Sequence, residues 1–81
     1  MTATAVPVTA QVVTFNLVGG TAAVSFLPDQ VEVLWAAPNP GFSVEIQDGS
    51  SARVEFESDE HRSRLDAWWA GGPAHEIDED D

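Results

Sequence analysis

The chain has 81 residues, of which 14 are Asp or Glu and 3 are Arg, with no Lys and no Cys, so its formal net charge is −11 at pH 7. This excess of carboxylates argues against direct binding to nucleic-acid phosphates or to anionic lipid, both of which are bound by clusters of Lys and Arg. The lack of cysteine excludes a disulfide, a thiolate nucleophile and a Cys-ligated zinc ion, and it favours a reducing cytoplasm as the compartment.

The two ends of the chain differ in composition from its middle. Residues 1–10 contain small, hydroxylated and β-branched side chains without a pattern, and we expect a frayed N-terminus there. They lack the basic segment and the continuous apolar segment of a signal peptide. Residues 74–81 hold five carboxylates in their last six positions, which predicts a solvated, flexible acidic tail. We therefore expect a single domain over residues 11–73.

Three segments in the first half alternate between apolar and polar side chains, the pattern of half-buried β-strands. They are Gln11 to Val18, Thr21 to Leu27 and Val31 to Ala37. Gly19-Gly20 between the first two can adopt the positive φ angles of a tight hairpin turn. Pro28-Asp29 supplies the next reversal, because proline presets φ early in a turn. The side chains expected to face inward are Val13, Phe15, Leu17, Ala22, Val24, Phe26, Val31, Val33 and Trp35.

Two further strands follow a stiff loop at residues 38–41, where two prolines cannot donate backbone hydrogen bonds. Residues 42–47 alternate again, and the polar residues 48–51 predict a turn. Val54 and Phe56 then continue the inward face. Five short strands joined by short reversals predict an antiparallel meander.

The periodicity changes after Ser58, where the sequence predicts an α-helix. Ser58 is a favoured N-cap residue, and the two acids that follow it suit the positive end of a helix dipole. Leu65 and Trp68 fall on one helical stripe, with Trp69 beside them. The triplet Gly71-Gly72-Pro73 is a strong stop signal, because glycine caps helices and proline cannot continue them.

These elements predict an α+β fold, in which a twisted, antiparallel five-stranded meander carries one C-terminal helix on its apolar face. Only this helix is available to cover the sheet, so the two should share a single core. Burial of so small a core barely offsets the conformational entropy that folding costs. The expected core residues are Phe15, Phe26, Trp35, Ile46, Phe56, Leu65 and Trp68.

The sequence offers few residues for catalysis. There is no Cys or Lys, and the Ser, His and Asp residues lie in no nucleophile motif. A domain of one sheet and one helix also seldom encloses a substrate pocket. His61 and His75 stand beside acids, but without the spacing that brings metal ligands onto one face. We therefore expect a protein that is not an enzyme and has no metal or other cofactor.

Three features of the surface are candidates for binding a partner. Outward acids of the fourth and fifth strands, continued at the helix start, predict an acidic patch that suits a basic protein. Trp69 is a candidate anchor, because two adjacent tryptophans on a helix cannot both face the sheet. Leu34 lies on the mildly polar outer face of the first three strands, which favours a homodimer. The acids of the patch are Glu45, Glu55, Glu57, Asp59 and Glu60.

Three functions remain open. The first is a small, acidic, non-catalytic regulatory protein that docks on a partner protein in the cytoplasm. The second is a DNA mimic of the phage counter-defence type, which occupies the nucleic-acid site of a basic protein. The third is a self-assembling structural subunit. The amino-acid usage, rich in Ala, Val, Gly and Asp, is typical of GC-rich bacteria and their phages.

Overall fold

A computed structural model of the chain describes residues 10–80, and this range contains β-strands but no helix. The expected α+β fold is therefore wrong, and the described part of the protein is all-β. Its strands are β1 Gln11–Leu17, β2 Gly20–Leu27, β3 Gln30–Pro38, β4 Ser43–Gln47, β5 Ala52–Glu57, β6 Arg62–Trp69 and β7 Pro73–Asp80. Accordingly, residues 10–80 include no helix long and apolar enough to span a membrane. The fraying expected for residues 1–9 lies outside the described residues.

The strands form two antiparallel sheets, each of which is a meander. Sheet A has three strands in the order β1-β2-β3, and sheet B has four in the order β4-β5-β6-β7. β3 lies against β4, β5 and β6, while β2 lies against β6 and β1 against β7. The two sheets therefore pack face to face as a small sandwich, in which a second sheet covers the apolar face that a helix was expected to cover.

The core lies between the sheets and is built from the inward side chains of both. Phe15 and Phe26 contact each other edge to face, with ring centroids 6.5 Å apart. Of the expected core residues, Phe15, Phe26, Phe56 and Leu65 are buried, which confirms them. The buried apolar residues of the described range are Phe15, Leu17, Ala22, Ala23, Val24, Phe26, Val31, Ala52, Val54, Phe56, Leu65 and Ala67.

Trp35 is not a core residue, because β3 contains a β-bulge. Val33 and Trp35 are paired with consecutive residues of β2, so Leu34 is the extra residue. Beyond the bulge, the inward side of β3 passes from odd to even positions, and Ala36 packs against the core. Trp35 therefore points outward, and 49% of its surface is exposed.

Ile46 also differs from expectation, because it lies on an edge strand. It is on the inward face of sheet B, in register with Val54, yet it is 45% exposed. Sheet B has four strands and is covered by only three, so inward side chains near its edges are partly uncovered. Ile77 on the other edge strand, β7, is exposed in the same way. The expected place of Ile46 in the core is wrong.

The segment expected to be helical forms β6, because its side chains also alternate with period two. Ser63, Leu65 and Ala67 are buried, and the residues between them point outward. Trp68 is therefore on the outer face of sheet B, and its expected place in the core is wrong. Its neighbour Trp69 is partly buried and packs against the core instead.

The Ser58 side chain makes the hydrogen bonds of a helix N-cap without starting a helix. Its Oγ accepts hydrogen bonds from the backbone N–H groups of Glu60, at 3.3 Å, and His61, at 3.1 Å. The Ser58 N–H donates to the His61 carbonyl oxygen at 2.8 Å, which closes a turn between β5 and β6. A capping serine thus stabilises a turn between strands with the same contacts that would begin a helix.

Residues 74–80, expected in a flexible acidic tail, belong to β7, which pairs with β6 along its length. His75, Ile77 and Glu79 lie in register with the buried residues of β6. The His75 ring packs on Phe15, with ring centroids 4.6 Å apart. The pairing satisfies backbone groups of β6 that would otherwise form an open sheet edge, so β7 is part of the domain.

The loop at residues 39–42 carries the chain from sheet A to sheet B, so the expected single meander is interrupted there. Asn39 fixes this loop to the β1–β2 turn. Its backbone N–H donates to the Gly19 carbonyl oxygen at 2.8 Å, and its Nδ2 donates to the Val18 carbonyl oxygen at 2.9 Å. Gly41 has a φ of 89°, which glycine adopts without steric cost.

Gly19 in the β1–β2 turn and Gly20 at the start of β2 are needed for space, since neither has a positive φ. A Cβ atom added to Gly19 would lie 2.5 Å from Phe56 Cβ. A Cβ atom added to Gly20 would lie 2.5 Å from the Ala37 carbonyl oxygen. The turn therefore packs directly against both sheets, and this close approach positions the cluster of polar groups described below.

Candidate functional site

The charged side chains are distributed unequally between the outer faces of the two sheets. The charged and polar outward residues of sheet B form three rows across its strands, with seven carboxylates and all three arginines of the chain. The outward residues of sheet A include a single charged one, Glu32. The three rows of sheet B are Ser43, Glu57, Arg62 and Asp80; Glu45, Glu55, Arg64 and Asp78; and Gln47, Arg53, Asp66 and Glu76.

Each arginine on the outer face of sheet B is paired with a carboxylate of that face. Arg53 Nε lies 2.8 Å from Asp66 Oδ1, and this hydrogen bond raises the pKa of Arg53 above its ordinary value. Arg62 Nε lies 3.3 Å from Glu57 Oε2, and Arg64 Nε lies 3.4 Å from the second oxygen of Asp66. These groups are partly exposed, so the pairs orient the side chains more than they stabilise the fold.

The other carboxylates of sheet B and of its β5–β6 turn leave a net negative surface. Glu45 and Glu55 are cross-strand neighbours, a position in which like charges repel. Asp59 and Glu60, in the turn, add two charges beside Glu57. We call the residues of these three rows together with the two turn residues the acidic face. Among residues 10–80, its carboxylates without an ion pair are Glu45, Glu55, Asp59, Glu60, Glu76 and Asp80.

An open depression lies at one end of the acidic face, between the β5–β6 turn and the loop that leads into β4. Phe42 lines one side of it, and Asp59 and Glu60 line the other. Glu57 and Arg62 line its continuation along sheet B. Its walls are mainly polar, unlike those of a typical small-molecule site, which are mainly apolar.

A second cluster of polar groups joins the two sheets at the inner side of β7. Glu79 Oε2 accepts a hydrogen bond from the Val18 N–H at 3.0 Å. Its Oε1 accepts one from the Ser63 hydroxyl and lies 2.7 Å from His61 Nε2. The Ser63 Oγ in turn accepts a hydrogen bond from the Gly19 N–H at 2.9 Å. We call these five residues the Glu79 cluster, and it ties the β1–β2 turn to β6 and β7.

Burial and hydrogen bonding act in opposite directions on Glu79. Partial burial by itself would raise the pKa of this carboxyl, but hydrogen bonds from Ser63, His61 and the Val18 N–H outweigh it and lower the pKa. Ser63 is fully buried, and its hydroxyl both donates and accepts a hydrogen bond. Such complete pairing of buried polar groups is typical of a structural contact.

The outer face of sheet A has a different character from the acidic face. Its side chains are apolar or neutral, apart from Glu32. Val12, Leu34 and Trp35 are 57%, 47% and 49% exposed. Trp35 lies in register with Ala23 of the central strand, β2. Ala23 is buried although its side chain faces outward. Exposed apolar surface on a small domain usually indicates an interface.

The residues expected to bind a partner lie in three places. The acids Glu45, Glu55, Glu57, Asp59 and Glu60 all belong to the acidic face. Trp69 packs against the core, and Leu34 lies on the outer face of sheet A. Four acids of the acidic face were not predicted from the sequence. The alternation of polar and apolar side chains in β6 and β7 was the signal that could have identified them. They are Asp66, Glu76, Asp78 and Asp80.

Both histidines take part in contacts within the fold. His61 belongs to the Glu79 cluster, and His75 packs on Phe15. Among residues 10–80, no group of three or more His, Asp or Glu side chains is arranged to hold a metal ion.

Comparison of the chain with protein-family models, with curated proteins and with solved structures finds no match. We therefore infer a function from the two outer faces and their chemistry.

Proposed function

We propose that this is a small, non-catalytic interaction protein of the cytoplasm that docks on a basic partner protein through the acidic face. The observation that supports this function is the segregation of charge. The acidic face carries nine carboxylates and three arginines, a formal excess of six negative charges on one side of the molecule. A basic protein surface is the complement of such a face.

The acidic face is preorganised for docking. Seven of its nine carboxylates lie on paired strands, so binding orders little additional backbone. The depression beside Phe42 suits a Lys or Arg side chain of the partner. The methylene groups of that side chain would pack on the Phe42 ring while its charge reaches Asp59 and Glu60. The summed negative potential would steer the encounter, so it should affect the association rate more than the affinity.

Reversing two charges of the acidic face should slow association with the partner. Glu45→Lys combined with Glu60→Lys should lower the association rate constant about tenfold at low salt. Both side chains are exposed and make no hydrogen bond or ion pair within residues 10–80, so the fold should be retained. The partner would be captured on immobilised wild-type protein and purified, and its association rate then measured by biolayer interferometry from about 50 to about 500 mM salt.

A matched control distinguishes the effect of the acidic face on the association rate from the effect of net charge. Asp29→Lys combined with Glu32→Lys changes the formal charge by the same amount, at exposed positions outside the acidic face. This control should associate at a rate within about twofold of wild type, and wild-type association should slow steeply with salt. Equal slowing by both double variants, or an association rate indifferent to salt, would rule out docking through the acidic face.

One observation favours a DNA mimic as the second candidate function. Glu76, Asp78 and Asp80 project from the outer face of β7, an edge strand, at every second residue. Their spacing along the strand is about 6.7 Å, so they form a regular row of charge on a rigid edge, as phosphates do along one DNA strand. Arg64 Nη2 lies 3.5 Å from Asp78 and neutralises the middle of this row.

The DNA-mimic function predicts a competition that docking on a basic protein does not by itself predict. If the protein occupies a nucleic-acid site, double-stranded DNA should compete with it for the captured partner. Glu76→Lys with Asp80→Lys should then abolish this competition, because it removes the two uncompensated ends of the row. Fluorescence anisotropy of labelled DNA bound to the partner measures both effects. Partner binding that is unaffected by saturating DNA would contradict the mimic and leave the docking function standing.

A further inference from the structure

We propose that the protein forms a weak homodimer in which two copies stack through the outer face of sheet A. This proposal concerns the side of the molecule opposite the acidic face and is independent of the function proposed above. Its basis is the chemistry of the outward residues of β1, β2 and β3, together with the distance that stacking would keep between the two acidic faces.

The outer face of sheet A carries almost no charge. Along three strands its outward positions carry one charge, at Glu32, although the chain as a whole has a net charge of −11. Val12, Leu34 and Trp35 expose about half of their surface each. The β-bulge is the reason that Trp35 is outside, because it reverses the direction of the side chains that follow. A face with a single charge offers little to a basic partner, but it can pack against another apolar face.

The distribution of charge favours a second copy of the chain as the occupant of this face. Two copies stacked through sheet A would form four layers, with the acidic faces on the outside. Packed sheets lie about 10 Å apart, so the two acidic faces would be separated by about 30 Å. This is several times the screening length of about 8 Å at physiological ionic strength, so their repulsion is largely screened. Stacking through sheet B would instead bring nine carboxylates of each copy together.

The small size of this face limits the strength of the dimer. Three strands about 4.8 Å apart and roughly eight residues long give a flat area of about 400 Å² per copy. A standard interface buries about 800 Å² per partner, so this face is at the low end. We therefore expect a reversible dimer with a dissociation constant of about 100 µM, and not a permanent one.

The test is sedimentation velocity of the full chain from about 10 µM to about 1 mM, a range that brackets the expected dissociation constant. Wild type should pass from monomer to dimer across this range. Trp35→Glu should raise the dissociation constant at least tenfold, since it would bury a charge in the apolar interface. Leu34→Glu should do the same from a different position, and circular dichroism confirms that each variant is folded.

Trp68→Glu is the matched control, because Trp68 is an exposed tryptophan on the outer face of the opposite sheet. It should dimerise as wild type does. The dimer should also be nearly indifferent to salt, whereas docking on a basic partner should weaken with salt, so the two proposals fail separately. A wild type that is monomeric at all concentrations, or a Trp68→Glu variant as impaired as Trp35→Glu, overturns the dimer. If Trp35→Glu, and not the charge-reversal variant of the acidic face, fails to bind the captured basic partner, the outer face of sheet A belongs to that partner. This result would also overturn the dimer.

Discussion

Replacing Gly20 by alanine should destabilise the fold by about 3 kcal/mol, a large fraction of the stability of so small a domain. The new Cβ atom would lie 2.5 Å from the Ala37 carbonyl oxygen and 2.7 Å from the Phe56 ring. Neither neighbour can move freely, because one is backbone in a paired strand and the other is a fully buried core side chain. The steric overlap can therefore be relieved only if the β1–β2 turn moves away from the core.

Gly72→Ala is the matched control for this prediction. A Cβ atom at Gly72 would meet nothing within 4 Å, and its φ is not positive, so alanine should be neutral or slightly stabilising there. Urea denaturation followed by tryptophan fluorescence compares the two variants with wild type. If the two alanine variants unfold at the same urea midpoint, the close approach of the turn to Ala37 and Phe56 is not present in the native protein.

Replacing Glu79 by alanine should destabilise the fold by roughly 2 kcal/mol at neutral pH. The Val18 N–H and the Ser63 hydroxyl both donate to this carboxylate, and Ser63 is fully buried. Without the carboxylate, these donors lose their acceptor at the contact between the sheets. Glu79→Gln should have a smaller effect of the same sign, because the amide keeps one acceptor oxygen but loses the charge.

The stability that Glu79 contributes should depend on pH in a defined direction. Its pKa is lowered in the folded state from the ordinary value of 4.5. A lowered pKa means that the folded protein binds this proton less readily than the unfolded chain. The contribution is therefore complete above about pH 4.5 and is lost as the pH falls through the lowered pKa.

The measurement is the difference in unfolding free energy between wild type and Glu79→Gln from about pH 5 to about pH 3, the range in which carboxyl groups titrate. Carboxylates that do not contact Glu79 titrate in both proteins and cancel. This difference should shrink as the pH falls. Glu76→Gln, on the same strand but facing outward, should show a small difference that changes little with pH. If this difference in unfolding free energy stays constant or grows as the pH falls, the ionised carboxylate of Glu79 does not stabilise the fold.

Alternation of polar and apolar residues was sufficient to place the first five strands. Phe15, Phe26 and Phe56 are buried where period two puts them, because no other local signal competes in these segments. The same alternation is present in β6 and β7. It was outweighed at Ser58, whose capping contacts serve a turn as well as a helix, and at the tail, whose many acids suggested disorder.

Other features depend on contacts between distant residues and could not be predicted from local patterns. The bulge at Leu34 is a property of the pairing between β2 and β3, and it alone moves Trp35 from the core to the surface. Glu79 is one acid among many in the sequence. Only the packing of β7 against the β1–β2 turn distinguishes it from its neighbours. The acidic face was predicted in part, since its β4 and β5 acids alternate, but its β6 and β7 acids required the correct fold.

The Glu79 cluster also constrains the order in which the chain can fold. Val18 and Glu79 are 61 residues apart in sequence, and Gly19 and Ser63 are 44 apart, so these contacts close long loops. Closing such loops is entropically costly and slow compared with forming the hairpins inside each sheet. The two sheets can therefore be built from local turns first, and the carboxylate joins them last. Loss of Glu79 should then accelerate unfolding, with little change in the rate at which the chain folds.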